Sequence, residues 1–174
     1  MNIEAQFEYA TDFVLLNDEK IIFIDEIGLS CSMRIGYGRS LMGTTPKKIV
    51  RAIRSKKFST VAASCKTGIL HFKTIDRAFN CASLTTFIGE VIHLKLTNLG
   101  IFDATIIMDN ASIHKTAEVK EVFKATNHKI IYLPPYSPQL NPIEEVFSKW
   151  KHILKSANCQ TTEQLNMEIA NSHL

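Results

Sequence analysis

Residues 132–150 read Tyr132-Leu-Pro-Pro-Tyr-Ser-Pro-Gln-Leu-Asn-Pro-Ile-Glu-Glu-Val-Phe-Ser-Lys-Trp150, and they hold four of the five prolines in the chain. The second half of this stretch reads as a helix entry. Asn141 is a capping residue for the free N–H groups, Pro142 suits the first helical position, and Glu144 falls at the third. From there Ile143, Val146, Phe147, Trp150, Ile153 and Leu154 recur on one face, so the spacing predicts a helix with that stripe, Trp150 included, in a core. Glu144 and Glu145 flank the stripe on opposite sides, and either leaves the helix edge towards a site. Read alone, Glu144 is equally a capping carboxylate that answers the helix dipole.

Two apolar runs upstream each end in an aspartate, Ile21-Ile22-Phe23-Ile24-Asp25 and Ala104-Thr105-Ile106-Ile107-Met108-Asp109. Short β-branched runs read as buried central or parallel strands, and an acid that closes such a run sits at the edge of the sheet. Two strand-end aspartates and one helix-start glutamate can converge as hard oxygen ligands for divalent metal, the set that phosphoryl transfer uses.

Three blocks carry a family resemblance: Asp25-Glu26, Met108-Asp109-Asn110-Ala-Ser-Ile-His114 and Leu133-Pro-Pro-Tyr-Ser-Pro-Gln-Leu-Asn-Pro-Ile-Glu144. With 34 residues between Asp109 and Glu144, they resemble the mariner-type insertion-sequence transposases of the Asp-Asp-Glu (DDE) superfamily, over roughly residues 18 to 155. The resemblance implies an α/β ribonuclease H-like fold, a mixed five-stranded sheet flanked by helices. It also implies metal-dependent DNA strand cleavage and strand transfer at transposon ends. Asp25 would bridge two Mg²⁺ ions, with Mn²⁺ able to substitute, while Asp109 and Glu144 would each anchor one. Asn110, His114, Tyr136 and Asn141 belong to the blocks as supporting residues. His114 is expected at the strand–helix corner or on phosphate rather than on metal, because Mg²⁺ prefers oxygen. The prolines and Tyr136 would fix a rigid loop that aims Glu144. Strand alternation and the 100° helix step point Glu26 and Glu145 away from the site.

Composition bounds the rest. A chain of 174 residues with 45% hydrophobic and 21% charged residues is expected to fold as one domain. No apolar run approaches a membrane span and the first residues show no signal pattern, so a cytoplasmic protein is expected, nucleoid-associated in a bacterium. The cysteines at 31, 65, 81 and 159 have no zinc-type spacing and read as reduced thiols. Net charge is only +3, yet Ile27 to Ile75 contains no Asp or Glu and holds Arg34, Arg39, Lys47, Lys48, Arg51, Arg54, Lys56, Lys57, Lys66 and Lys73. One-sided charge of this kind marks a polyanion-binding surface, with Arg34 through Lys57 as the candidate DNA contacts; a solvated, Lys-rich meander is the plainer alternative.

The domain divides into a leading helix (1–17), a core (18–155) and a C-terminal helix (156–174). Within the core, strands are expected at about 20–26, 69–75, 104–109 and 129–133; over 48–62 helix and strand readings compete, and the resemblance implies extended structure. Helices are expected over 83–99 and 114–126, and Gly28 should break the first strand. The family's helix-turn-helix region does not fit in 17 residues, so it is expected on another frame, removed or lost. The partners implied are double-stranded DNA, both transposon ends and target, a second copy once assembled on DNA, and no membrane. Two rivals remain: a domesticated or decayed element product that binds DNA without cutting, and another nuclease of the same fold.

Overall fold

The computed structural model describes residues 18–30, 33, 34, 36–47, 57–135, 137–157, 159 and 161–172. Five strands form one sheet: β1 (Ile21–Ser30), β2 (Lys57–Cys65), β3 (Gly68–Ile75), β4 (Thr105–Met108) and β5 (Lys129–Tyr132). Their order is β3-β2-β1-β4-β5. The first three make an antiparallel meander, whereas β4 runs parallel to β1 and β5 parallel to β4. The expected mixed five-stranded α/β sheet is the observed one.

The apolar runs of β1 and β4 are continuous because both faces of these strands are covered. Ile21, Phe23, Ile27, Leu29 and Ile107 face a core shared with helix α3 (Ile143–Ala157) and helix α4 (Thr162–Asn171). Ile22, Ile24, Ile106 and Met108 face a second core, shared with helices α1 (residues 81–98) and α2 (Ala117–Thr126). Helix α1 is built of three consecutive segments, Cys81–Thr86, a π-helical Phe87–Ile92 and His93–Asn98. Helix α2 (Ala117–Thr126) connects β4 to the parallel β5. The long crossover that a parallel neighbour demands is thus supplied by α1 for β1 and β4, and by α2 for β4 and β5.

Element boundaries differ from expectation for local reasons. β1 passes through Gly28 and ends at Ser30, because pairing with β2 continues to Ser30 and Lys57 and carries the glycine along opposite Ser59. Asn80 starts α1 two residues early by accepting from Ser83 N at 2.8 Å. The helix expected from His114 is instead a 3₁₀ turn, Ser112–Lys115, followed by α2. Thr116 is extended there and its side chain accepts from Val119 N. Asn127 then closes α2 in the left-handed region at φ 58°. Gly68, at φ +124°, makes the tight turn between β2 and β3. The leading helix expected over residues 3–17 lies outside the described residues. Cys65 and Cys81 are free thiols.

Trp150 is 1% exposed and packs against Phe72 and Phe147, with ring centroids 5.6 Å away in each case. It ties α3 to β3 across the first core. Replacing it with Ala removes the largest buried side chain and should cost about 3–5 kcal/mol of folding free energy. Urea unfolding measures this, and a loss below about 1 kcal/mol would show that α3 is not anchored there.

Candidate active site

The site forms where β4 stops. Its pairing with β1 ends at Ile24 and Met108, so beyond that point β1 continues with no strand paired on its β4 side among the described residues. Asp25 and Glu26 occupy the freed edge of β1, and Asp109 follows directly on β4. Asp109 therefore does close its strand as expected. Asp25 sits in mid-strand, and it is the shorter neighbour that opens the edge.

Asp25 belongs to the face that packs on α3 and is 8% exposed. Its Oδ1 accepts from Glu26 N at 2.7 Å, and its Oδ2 accepts from Asn141 Nδ2 at 2.8 Å. Burial pushes its carboxyl up to about 7; the Glu26 N–H acts against this, and the charges of Asp109, Glu144 and Glu26 add to it. Asn141 was expected to cap α3 with its side chain. That side chain is instead committed to Asp25, and the turn Pro138–Leu140 with the backbone bond from Glu144 N to Asn141 O (3.1 Å) leads the chain into the helix.

Asp109 is held from the other side of the sheet. His114, 1% exposed, places Nδ1 2.6 Å from Asp109 Oδ1, which also accepts from Ala111 N at 3.0 Å. His114 Nε2 lies 3.2 and 3.3 Å from the two oxygens of Glu26. Burial opposes protonation of this ring, but the hydrogen bonds and charges of Asp109 and Glu26 outweigh it and push His114 up to about 10. At neutral pH it is an imidazolium donating from both nitrogens, and its hydrogen bond holds Asp109 below the usual carboxylate range. His114 does hold the strand–helix corner, and its backbone oxygen accepts from Tyr132 Oη at 2.7 Å.

Asp25, Asp109 and Glu144 line one cavity of about 620 Å³, together with Glu26 and Asn110 and walled by Pro134, Pro135 and Pro138. Glu144 stands exposed at its mouth, in the first turn of α3. Among the described residues no three His, Cys, Asp or Glu side chains close into a ready-made cage for an ion. Asp109 Oδ1 is occupied by His114 and Ala111, so the acids line the wall without meeting. The donor set nevertheless fits a hard divalent cation: three carboxylates in one cavity, plus two lining residues, Asn110 and Asn141, whose buried Oδ1 atoms have no hydrogen-bond partner.

Glu26 was expected to point elsewhere and does lie on the opposite face, as alternation requires. It still lines the cavity, because with β4 absent the opening is reached from both faces. Nothing in the alternation pattern reveals this; the one sequence signal was its place beside Asp25 in the first block. Tyr136 lies outside the described residues. Of the candidate DNA contacts, Arg39, Lys47 and Lys57 are exposed and Arg34 is half-buried. Lys48, Arg51, Arg54 and Lys56 lie outside the described residues.

This sheet order, with helices on both faces, defines a ribonuclease H-like protein. The chain is similar to the catalytic domain of Mos1 mariner transposase, at TM-score 0.72 and 13% identity over 99% of this chain and 78% of that one. It is similar also to the Mos1 transposase paired-end complex with left transposon end, at TM-score 0.82 and 15% identity over 99% of this chain and 53% of that one. Residues 20–166 match the DDE superfamily endonucleases, and the chain belongs to that family. An uncharacterized 39 kDa protein of insertion element IS630 from Shigella sonnei is 26% identical over 150 residues, 85% of this chain. The chain spans 43% of that relative's length. Among the described residues no helix is long and apolar enough to cross a membrane.

Asp25 and His114 both titrate above their ordinary values. Their contributions to stability are present at low pH and lost as pH rises, through about 7 for Asp25 and about 10 for His114. In chelator, the melting temperature should therefore fall between pH 6 and 9. Mg²⁺ or Mn²⁺ should raise it more at pH 8 than at pH 6, since a carboxylate ligand must be ionised. Equal metal-induced shifts at both pH values would show that metal binding is not coupled to ionisation of Asp25 in this range.

Proposed function

We propose that this chain is the catalytic domain of a mariner-type DNA transposase, cutting and joining DNA strands with two divalent metal ions. The observation that supports this reading best is the convergence of Asp25, Asp109 and Glu144, from three separated blocks, on one cavity of a DDE-family fold. These three residues would hold the ions, Mg²⁺ or Mn²⁺. Bound there, the cations would polarise the scissile phosphate and stabilise the attacking and leaving oxygens of an in-line displacement. The protein's own part is to keep the carboxylates aimed. Asn141 and the Glu26 N–H fix Asp25, His114 and Ala111 N fix Asp109, and the proline-walled loop presents Glu144.

The reaction class is hydrolysis that frees a 3′-hydroxyl, followed by attack of that hydroxyl on a second DNA strand. Solved relatives of this fold are described as complexes with a left transposon end and as a strand transfer complex, and with Mn or Mg. By that analogy the partners are transposon ends and target DNA, with a second copy of the protein. A helix-turn-helix region elsewhere in a longer protein would read the ends. The acid-free stretch from Ile27 to Ile75, including Arg34, Arg39, Lys47 and Lys57, supplies the basic surface for phosphates.

Changing Asp25, Asp109 or Glu144 to Ala should bring Mn²⁺-dependent cleavage of a duplex carrying the element's terminal repeat below detection, with circular dichroism unchanged. Glu145→Ala, on the other flank of α3, should cut within a few-fold of the parent. A dead Glu145→Ala with an active Glu144→Ala would reverse the assignment of the third acid.

Base-specific reading needs side chains placed against base edges, whereas phosphate contacts only position the protein. This chain alone should therefore bind duplex DNA at roughly 10⁻⁴ to 10⁻⁶ M at physiological salt, without sequence choice. Neutralising Arg39, Lys47 and Lys57 together should flatten the salt dependence by about one counterion per lost contact. A titration of the terminal repeat against a scrambled duplex tests the first statement. A hundredfold preference for the repeat would place sequence reading in this domain.

A further inference from the structure

We propose that Glu26 is a positioning residue of the metal site and acts on both aspartates at once. The inference rests on the reading of Asp25 and Asp109 as ligands. The main chain of Glu26 donates to Asp25 Oδ1 at 2.7 Å. Its carboxylate lies 3.2 and 3.3 Å from His114 Nε2, and His114 Nδ1 lies 2.6 Å from Asp109 Oδ1. One residue of β1 thus reaches the acid beside it directly and the acid on the neighbouring strand through a single imidazole.

The arrangement has a mechanical consequence. The backbone of His114 is held by Tyr132 Oη at 2.7 Å, which leaves the ring's own rotation as the freedom that Asp109 feels. Occupying both ring nitrogens removes that freedom. With Asp109 Oδ1 taken by His114 and Ala111 N, Oδ2 is the oxygen left for the cavity. Without an acceptor at position 26, a buried N–H is orphaned, the ring is free to turn, and Asp109 loses its aim. Both Glu26 oxygens are nearly equidistant from the same Nε2, so the carboxylate is directed at the histidine. Partners that orient a ligand in this way are typically worth about 10–100-fold in metal affinity.

The test measures Mn²⁺ binding to the purified chain by calorimetry and by electron paramagnetic resonance, independently of cleavage. Glu26→Ala and the size-matched Glu26→Met should each weaken Mn²⁺ binding about 10–100-fold, with the metal-free melting temperature within a few degrees of the parent. Glu26→Gln, whose amide oxygen still accepts from Nε2, should recover binding to within about threefold. Combining Glu26→Met with His114→Ala should weaken binding no more than His114→Ala alone, because the effect runs through the ring.

Unchanged Mn²⁺ affinity in Glu26→Met would overturn the proposal, as would a fully additive double variant. Binding by Glu26→Gln as poor as by Glu26→Met would make the charge of Glu26, and not its geometry, the active property, and would equally overturn it. Asp109→Ala separates this failure from failure of the ligand assignment. If Asp109→Ala weakens Mn²⁺ binding and Glu26→Met does not, the ligands stand and only the role of Glu26 falls; if neither does, the ligand assignment itself falls.

Discussion

A carboxylate buried in the middle of a sheet must have its charge answered or give it up, and Asp25 is the group on which this constraint falls. It sits on the central strand, largely buried on the face that packs on α3 and near three other acids. Two hydrogen bonds, from Glu26 N and Asn141 Nδ2, answer part of the charge. Its carboxyl still titrates near neutrality, so those donors do not suffice at the pH of a cell. A fold assembled only for stability would place an apolar side chain there, as it does at Phe23 and Ile27 on the same face of β1. The aspartate instead leaves the centre of the sheet short of positive charge, which a divalent cation among the same acids would supply.

The two aspartates are served by different parts of the chain. Asn141 reaches Asp25 from the loop before α3, and His114 reaches Asp109 from the turn before α2. Each clasp takes one carboxylate oxygen; the other is held by Glu26 N in Asp25 and is left for the cavity in Asp109. Loop conformation is thus coupled to site geometry. Pro134, Pro135, Pro138 and Pro142 restrict the backbone that carries Asn141 and Glu144, and the turn is closed by the bond from Asn141 N to Pro138 O at 2.9 Å. The prolines therefore act at the site through the backbone.

The sheet was legible because its signals are strong and local. β-branched runs buried on both faces, a meander with a Gly turn, and an apolar stripe from Ile143 to Leu154 each admit few alternatives. The gathering of Asp25, Asp109 and Glu144 was legible from motif spacing. What escaped was non-local. Gly28 reads as a breaker until β2 pairs alongside it. Asn141 reads as a cap until Asp25, more than a hundred positions earlier, comes within 2.8 Å. Glu26 is dismissed by alternation, a rule that holds for the strand and fails to exclude the residue only because β4 ends at Met108. In all three cases a tertiary neighbour decided what local preference left open.

The charge arrangement carries the last step. Four carboxylates line the cleft, with the buried His114 behind two of them, and this acidic lining repels a phosphodiester while it attracts a cation. Acids and polyanion are compatible only if cations come between them, so on the proposed reading a cation that satisfied Asp25 would also admit a phosphodiester. The approach of DNA would still need a positive surface nearby. The segment that begins two residues after Asp25 carries ten basic residues and no acid as far as Ile75, and on the proposed reading it would meet the phosphates. Asp25 and Glu26 directly precede that stretch, so on the same reading β1 would mark the boundary between the part that holds metal and the part that meets phosphate.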